Sequence, residues 1–104
     1  MWYLIYCEDL PGTAELRQQA RPAHLARLKE LIAQDRLILA GPHPDVDSDT
    51  LDQGVTGSTV IAKFDNLVEA QNWADTDPYK LVGVYGKVTV KPFKITAKPE
   101  KAFF

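Results

Sequence analysis

Cysteine is almost absent from this sequence, since Cys7 is the only one among 104 residues. A single cysteine cannot form an intrachain disulfide, so noncovalent packing alone must hold the fold. Proteins of a reducing cytosol typically lack disulfides. We therefore expect a cytoplasmic protein.

Long apolar runs are also absent. No stretch approaches the 18 residues that mark a transmembrane helix, so we expect no association with a membrane. The N-terminal string MWYLIYCEDLPG lacks the basic segment of a signal peptide and meets acidic residues at Glu8 and Asp9. Its aromatic and β-branched residues are typical of a strand.

Basic clusters and phosphate-binding motifs are missing too. Lys and Arg number 12 against 14 Asp and Glu, for a net charge of −2. Nucleic-acid-binding proteins usually carry a basic patch, so we expect no nucleic acid partner. No Gly-rich loop or dinucleotide fingerprint occurs, and the residues require no cofactor.

The residues that are present indicate one globular domain. Apolar residues make up 45% and charged residues 25% of the chain, which are ordinary values. The pattern predicts a domain over residues 1–95 and a C-terminal tail over 96–104. Predicted strands cover residues 2–7, 37–41, 58–64 and 87–95. Predicted helices cover residues 13–20, 22–35 and 65–77, and residues 42–57 are a predicted hairpin loop.

The helix predicted over residues 22–35 carries an unusual histidine. Pro22 suits a first helical position, because its missing N–H would have no partner there. Apolar residues follow at helical spacing, namely Leu25, Leu28, Leu31 and Ile32. His24 lies about 50° from the centre of that stripe, so we expect it to face inward near the start of the helix.

The element order is that of the ferredoxin-like βαββαβ fold of the α+β class. Right-handed crossovers place both helices on one face of an antiparallel sheet. The first and third strands are expected in the centre and the fourth at an edge, where Pro92 is tolerated. The first strand is apolar on both faces, so its uncovered face predicts a homodimer through the open sheet face.

This topology brings three polar residues to one end of the predicted fold: His24, Ser58 and Asp77. An imidazole beside a carboxylate is suited to acid–base catalysis, and a neighbouring serine can orient a substrate. The histidine could also act as a nucleophile. Each residue equally has a structural interpretation, as a packed histidine, a helix-stop aspartate and a turn serine.

Weaker interpretations remain open at this point. His24, His43 and Asp77 are residue types that can together bind a metal ion, but their spacing matches no known metal-binding motif. Cys7 could act as a nucleophile. The loop carries four aspartates but lacks the glycine and glutamate of a calcium-binding loop: Asp45, Asp47, Asp49 and Asp52.

Several strings of the chain closely resemble one bacterial family. They are RPAHLARL, LILAGPHPDVDSD, GVTGSTVIAKF, AQNWADTDPY and GVYGKVTVKPFK. In order and content they resemble the YciI-like proteins of the YCII-related family, and the similarity runs from Trp2 to Lys94.

The resemblance implies a dimeric α+β barrel and a site centred on His24 and Asp77, with Ser58 on the pocket side. A related branch of the family eliminates chloride from chlorinated aromatic diols. Cys7 and His43 depart from the family pattern. We therefore expect a small enzyme that performs lyase- or isomerase-like acid–base chemistry on an unidentified small-molecule ligand. The alternative is a non-catalytic metabolite-binding or accessory interaction module.

Overall fold

The computed structural model of the chain describes residues 1–102. Four strands form its main sheet: β1 Trp2–Asp9, β2 Leu37–Pro44, β3 Val55–Lys63 and β4 Tyr85–Phe93. Three helices accompany them: α1 Ala14–Ala33, α2 Leu67–Asp75 and α3 Pro78–Leu81. In the predicted tail, β5 Ala97–Lys98 and β6 Lys101–Ala102 form a small hairpin. Phe103 and Phe104 lie outside the described residues.

The main sheet confirms the predicted ferredoxin-like α+β topology. Its strand order is β2-β3-β1-β4, and all neighbouring strands are antiparallel. β1 and β3 are central, and β4 is an edge strand that carries Pro92 opposite Tyr3. The helices pack on one face, where Ala20 and Leu31 of α1 and small residues of α2 join the buried side of the strands.

Helix α1 corrects the prediction of two separate helices. It runs without a break through Pro22, so His24 lies in its middle rather than near its start. Proline removes one helical hydrogen bond, but Pro22 and Gln18, the residue that would accept it, are both exposed to water. Ala20, His24 and Leu31, on both sides of the proline, are buried on one face. Tertiary packing thus outweighs the local stop signal.

Other boundaries shift by a few residues. The predicted hairpin loop shortens to residues 45–54, because β2 and β3 extend into it. Asn66 caps α2, since its Oδ1 accepts a hydrogen bond from Glu69 N at 2.9 Å. Helix α2 ends at Asp75, and Asp77 caps the separate turn α3. The chain therefore bends sharply at the aspartate that the sequence singles out.

The second face of the sheet has no covering element among residues 1–102. Tyr3, Ile5 and Cys7 of β1 are buried beneath the helices. Trp2, Leu4 and Tyr6 face the other way. Their neighbours on that face include the apolar residues Leu39, Ile61 and Phe93 and the polar residues Thr59, Lys63, Thr89 and Lys91. We call this surface the open sheet face. Within the same range, no helix is long and apolar enough to cross a membrane.

Candidate functional site

The centre of the site is a contact between α1 and the turn that follows α2. Nδ1 of His24 lies 3.1 Å and 3.0 Å from the two carboxylate oxygens of Asp77. The residues are only 6% and 2% exposed, so water does not compete for this hydrogen bond. A carboxylate can only accept, so Nδ1 carries a proton, and in the neutral imidazole Nε2 then presents a lone pair. The pair therefore places a base nitrogen on the other side of the ring.

The α3 turn fixes the position of Asp77. Its Oδ1 accepts a hydrogen bond from Tyr79 N at 2.9 Å, which caps α3. The ring of Tyr79 in turn stacks on the imidazole of His24, with centroids 4.3 Å apart. One short turn thus orients the imidazole both by its carboxylate and by its aromatic ring.

A second polar group lies beside the first. Arg17 forms two hydrogen bonds with Asp9, at 2.9 Å and 3.2 Å, and its guanidinium lies 4.4 Å from the centre of the Tyr79 ring. Its Nη2 also donates to Ser58 Oγ at 2.7 Å. Because Ser58 accepts this bond, its own proton is available to a neighbouring acceptor.

These residues border one cavity of about 610 Å³ between α1, the inner side of β2 and β3, and the loop 45–54. That volume suits a small organic molecule. Polar groups enter it from His24, Ser58, Tyr79 and Arg17. The remaining wall is largely apolar: Leu25, Leu28, Ala40, Pro42, Leu51, Val55 and Val60. Among the described residues, Nε2 of His24 has no hydrogen-bond partner, which leaves it for a ligand.

Arg27 lies near Asp77 but does not line the cavity. Its Nη1 is buried without a hydrogen-bond partner, 4.0 Å from Asp77 Oδ2. Its Nη2 donates to the carbonyl of Trp73 at 2.8 Å. Burial lowers the pKa of Arg27, and the Asp77 charge acts in the opposite direction. The guanidinium therefore compensates part of the charge of the Asp77 carboxylate.

Two further acidic groups on the sheet are kept protonated. Burial raises the pKa of the Cys7 thiol to about 12, and the Asp77 charge adds to this effect. Burial likewise raises the pKa of Tyr85, again with a contribution from Asp77. Cys7 is therefore a buried thiol and not a thiolate at neutral pH, which argues against the nucleophile interpretation.

The structure brings the three predicted residues to one region, but only two of them are in contact with each other. His24 and Asp77 are in direct contact, whereas Ser58 lines the same cavity and bonds to Arg17. His43 lies on the open sheet face, where its Nε2 is 2.6 Å from Thr59 Oγ1, so the metal-ligand set with His24 is not assembled. Within residues 1–102, no three potential ligand side chains gather into a metal site.

The sequence interpretation missed the arginines of the site. Arg17, Arg21 and His24 are spaced by four and three residues, which places them on one face of a continuous helix. Splitting that helix at Pro22 hid the spacing. Tyr79 was visible in the string DPY, but nothing local indicated that its ring would stack on His24.

The chain is similar to known proteins over most of its length. The YCII-related domain matches residues 1–94. An uncharacterized protein from Haemophilus influenzae is 53% identical over 95 residues, which span 90% of this chain and 97% of that protein. Protein YciI from Escherichia coli is 56% identical over 95 residues, with 90% of this chain and 97% of that protein covered.

A solved structure is similar over the same range. It is 5-chloro-2-hydroxyhydroquinone dehydrochlorinase from Burkholderia phenoliruptrix in complex with 2,5-dihydroxybenzoquinone. The two chains are 31% identical with a TM-score of 0.81, over 90% of this chain and 94% of the dehydrochlorinase. With these matches across nearly its whole length, the chain belongs to the YCII-related family.

Proposed function

We propose that the protein is an enzyme in which His24 transfers a proton to or from a small organic molecule, with Asp77 orienting the imidazole. The observation that carries this proposal is the buried His24–Asp77 contact at 3.0 Å, whose free Nε2 borders a cavity of ligand size. An imidazole held in one tautomer by a carboxylate is an efficient general base.

The chemistry that fits is elimination or isomerisation. Nε2 removes a proton from the substrate, and the electron pair left behind moves through an unsaturated ring or chain. It then either expels a leaving group as an anion or accepts a proton at another atom. His24 returns the proton to solvent or to the product, and Ser58 holds a substrate oxygen. Proton transfer of this kind typically contributes about 10² to 10⁴ in rate.

The similarity to the dehydrochlorinase supports this reaction class. That enzyme, 31% identical in sequence, is named for removing chloride from a hydroxylated ring. The loss of a proton and a halide from one molecule requires a base, which His24 supplies here. We assign this chain the class of reaction and not the substrate of its relative.

We further propose that two copies associate through the open sheet face. Each of the four strands contributes at least one apolar side chain to this face, and pairing two such faces removes those side chains from water. The cavity lies on the helix side of the sheet, so association leaves its mouth accessible. We place this dimer in the cytoplasm, where the buried free thiol of Cys7 is at no risk of oxidation.

Replacing Asp77 with asparagine tests the dyad. Asn Oδ1 keeps the hydrogen bond to Tyr79 N, so α3 stays capped, while its amide donates to Nδ1 in place of the carboxylate oxygen. The imidazole then adopts the Nε2–H tautomer, and Nε2 cannot accept a proton from the substrate. The assay uses a halogenated aromatic diol that the wild type turns over, with 5-chloro-2-hydroxyhydroquinone tried first. We expect Asp77→Asn to slow chloride release from that diol by about 10² to 10⁴. The ¹⁵N shifts of His24 should report the change of tautomer.

Asp75→Asn is the matched control, because Asp75 is exposed two residues earlier. It should leave the rate and the tautomer unchanged. A wild-type rate in the Asp77 variant, after its tautomer has changed, would contradict the mechanism. Binding of ring compounds without turnover of any halogenated diol would instead identify a non-catalytic binding module.

A further inference from the structure

The charged side chains that border the cavity are both arginines. Arg17 and Arg21 line it together with the imidazole of His24, and none of the lining residues is Asp or Glu. The aspartates of the loop 45–54 are exposed, and although Leu51 of that loop reaches the cavity, no aspartate does. A cavity lined by one sign of charge selects ligands of the opposite sign.

The two arginines have different roles. The charge of Arg17 is compensated by Asp9 through two hydrogen bonds, at 2.9 Å and 3.2 Å, and its remaining donor is used by Ser58. Arg21 makes no hydrogen bond or ion pair with any residue in the range 1–102. Its charge does reach the site: burial raises the pKa of Tyr79, and the charges of Arg17 and Arg21 act in the opposite direction. Arg21 is therefore the uncompensated cation of the cavity.

The opposite wall limits the shape of the ligand. Leu25 and Leu28 of α1 face Val60 and Ala40 of the sheet across the cavity. Apolar walls on both sides suit a flat ring, whereas a compact inorganic anion would leave them unfilled. A guanidinium donates two parallel hydrogen bonds and matches a charge shared by two oxygens.

From these observations we propose that the cavity binds a planar organic anion whose charge is shared between two oxygens, and that Arg21 binds those oxygens. Ionised hydroxyquinones have this form, because they are vinylogous carboxylic acids. The inference concerns the same site as the proposed function and defines its ligand class. Arg21 is one helical turn from His24, so an anion on its guanidinium places the ring within reach of Nε2.

The test compares two rings of equal size by titration calorimetry. 2,5-Dihydroxybenzoquinone is ionised at neutral pH, whereas its dimethyl ether is not. The wild-type protein should bind the ionised ring at least about tenfold more tightly. Arg21→Gln should abolish this preference, and Arg21→Lys should restore part of it. Benzoate serves as a third probe and shows whether a plain carboxylate suffices.

Lys29→Gln is the matched control, because it removes one positive charge from the same helix at an exposed position outside the cavity. It should keep the preference. Equal affinity of the wild type for both rings, or an unchanged preference in Arg21→Gln, would overturn the proposal. Binding is measured without turnover, so the two proposals can fail separately. Equal affinity of the wild type for both rings, with intact catalysis, contradicts only the anion proposal. A wild-type preference for the ionised ring without catalysis contradicts only the acid–base mechanism.

Discussion

The carboxylate of Asp77 has two roles. The same side chain caps α3 through Tyr79 N and fixes the tautomer of His24. Nη1 of Arg27 also lies 4.0 Å from Asp77 Oδ2. Any residue in place of Asp77 must therefore accept a hydrogen bond from the backbone even if it has lost its charge. This is why asparagine is the informative substitution and alanine is not.

Cys7 provides a prediction at the same scale. Its thiol ionises near 9.0 when unhindered, but in the folded protein its pKa rises to about 12. Between these values the unfolded chain binds fewer protons than the native one, so the free energy of unfolding falls as pH rises. Tyr85, whose pKa is also raised by burial, contributes with the same sign.

Urea unfolding from pH 8 to pH 10.5 should therefore show a steeper decline for the wild type than for Cys7→Ala. The comparison rests on the slope, because the alanine variant also loses packing at every pH. A thiol reagent at pH 8 should label the native protein slowly and the unfolded protein at once. Equal slopes, together with rapid native labelling, would show that the thiol is not kept protonated by burial.

At the scale of the element, α1 is the component that assembles the site. It presents Arg17, Arg21 and His24 along one face and buries Ala20 and Leu31 beneath them. Pro22 interrupts its hydrogen bonding at the turn between Arg21 and His24. The missing N–H leaves the carbonyl of Gln18 without its helical partner, at a residue that borders the cavity.

Pro22→Ala should stabilise the protein by about 1–2 kcal/mol. Alanine restores the hydrogen bond and removes the ring clash, a gain of up to about 3 kcal/mol. The more flexible unfolded chain offsets about 0.4–1 kcal/mol of this. Denaturant unfolding measures the change, and Ala26→Pro, at an exposed position of the same helix, should have the opposite effect. A less stable Pro22→Ala variant would show that the proline fits this helix without cost.

The sequence predicts those features that depend on neighbouring residues better than those that depend on residues distant along the chain. Local patterns include the apolar residues of β1, the order of the elements and the string DPY. These patterns are sufficient to predict the topology and to place His24 near Asp77. The continuity of α1 depends on residues buried by the sheet, which no local pattern records. Once that helix was divided, the alignment of Arg17 and Arg21 with His24 could not be recognised.

The whole molecule has one covered and one open sheet face. Leu39, Ile61 and Leu4 lie opposite one another on adjacent strands of the open face. Trp2 and Phe93 extend the apolar surface to the edge strand β4. In a single chain these side chains are in contact with water, at an unfavourable free energy of about 25 cal/mol per Å² of apolar surface.

Leu39→Glu should convert the proposed dimer to a monomer. The side chain is 51% exposed, so glutamate is tolerated by the single chain but places a charge within the paired faces. Sedimentation equilibrium should report one chain of 11.6 kDa for the variant and twice that mass for the wild type. Val68→Glu, on the exposed side of α2 at 61% exposure, is the matched control and should stay dimeric. A monomeric wild type would contradict the proposed dimer.

Strand β3 has a consequence for how this family diversifies. Ser58 and Val60 face the cavity, whereas Thr59 and Ile61 point to the open sheet face. In the proposed dimer, a substitution at an inward position of β3 alters the cavity, whereas a substitution at the next position alters the surface between the two copies. Relatives that differ only at the inward positions can therefore bind other ligands and still associate in the same way.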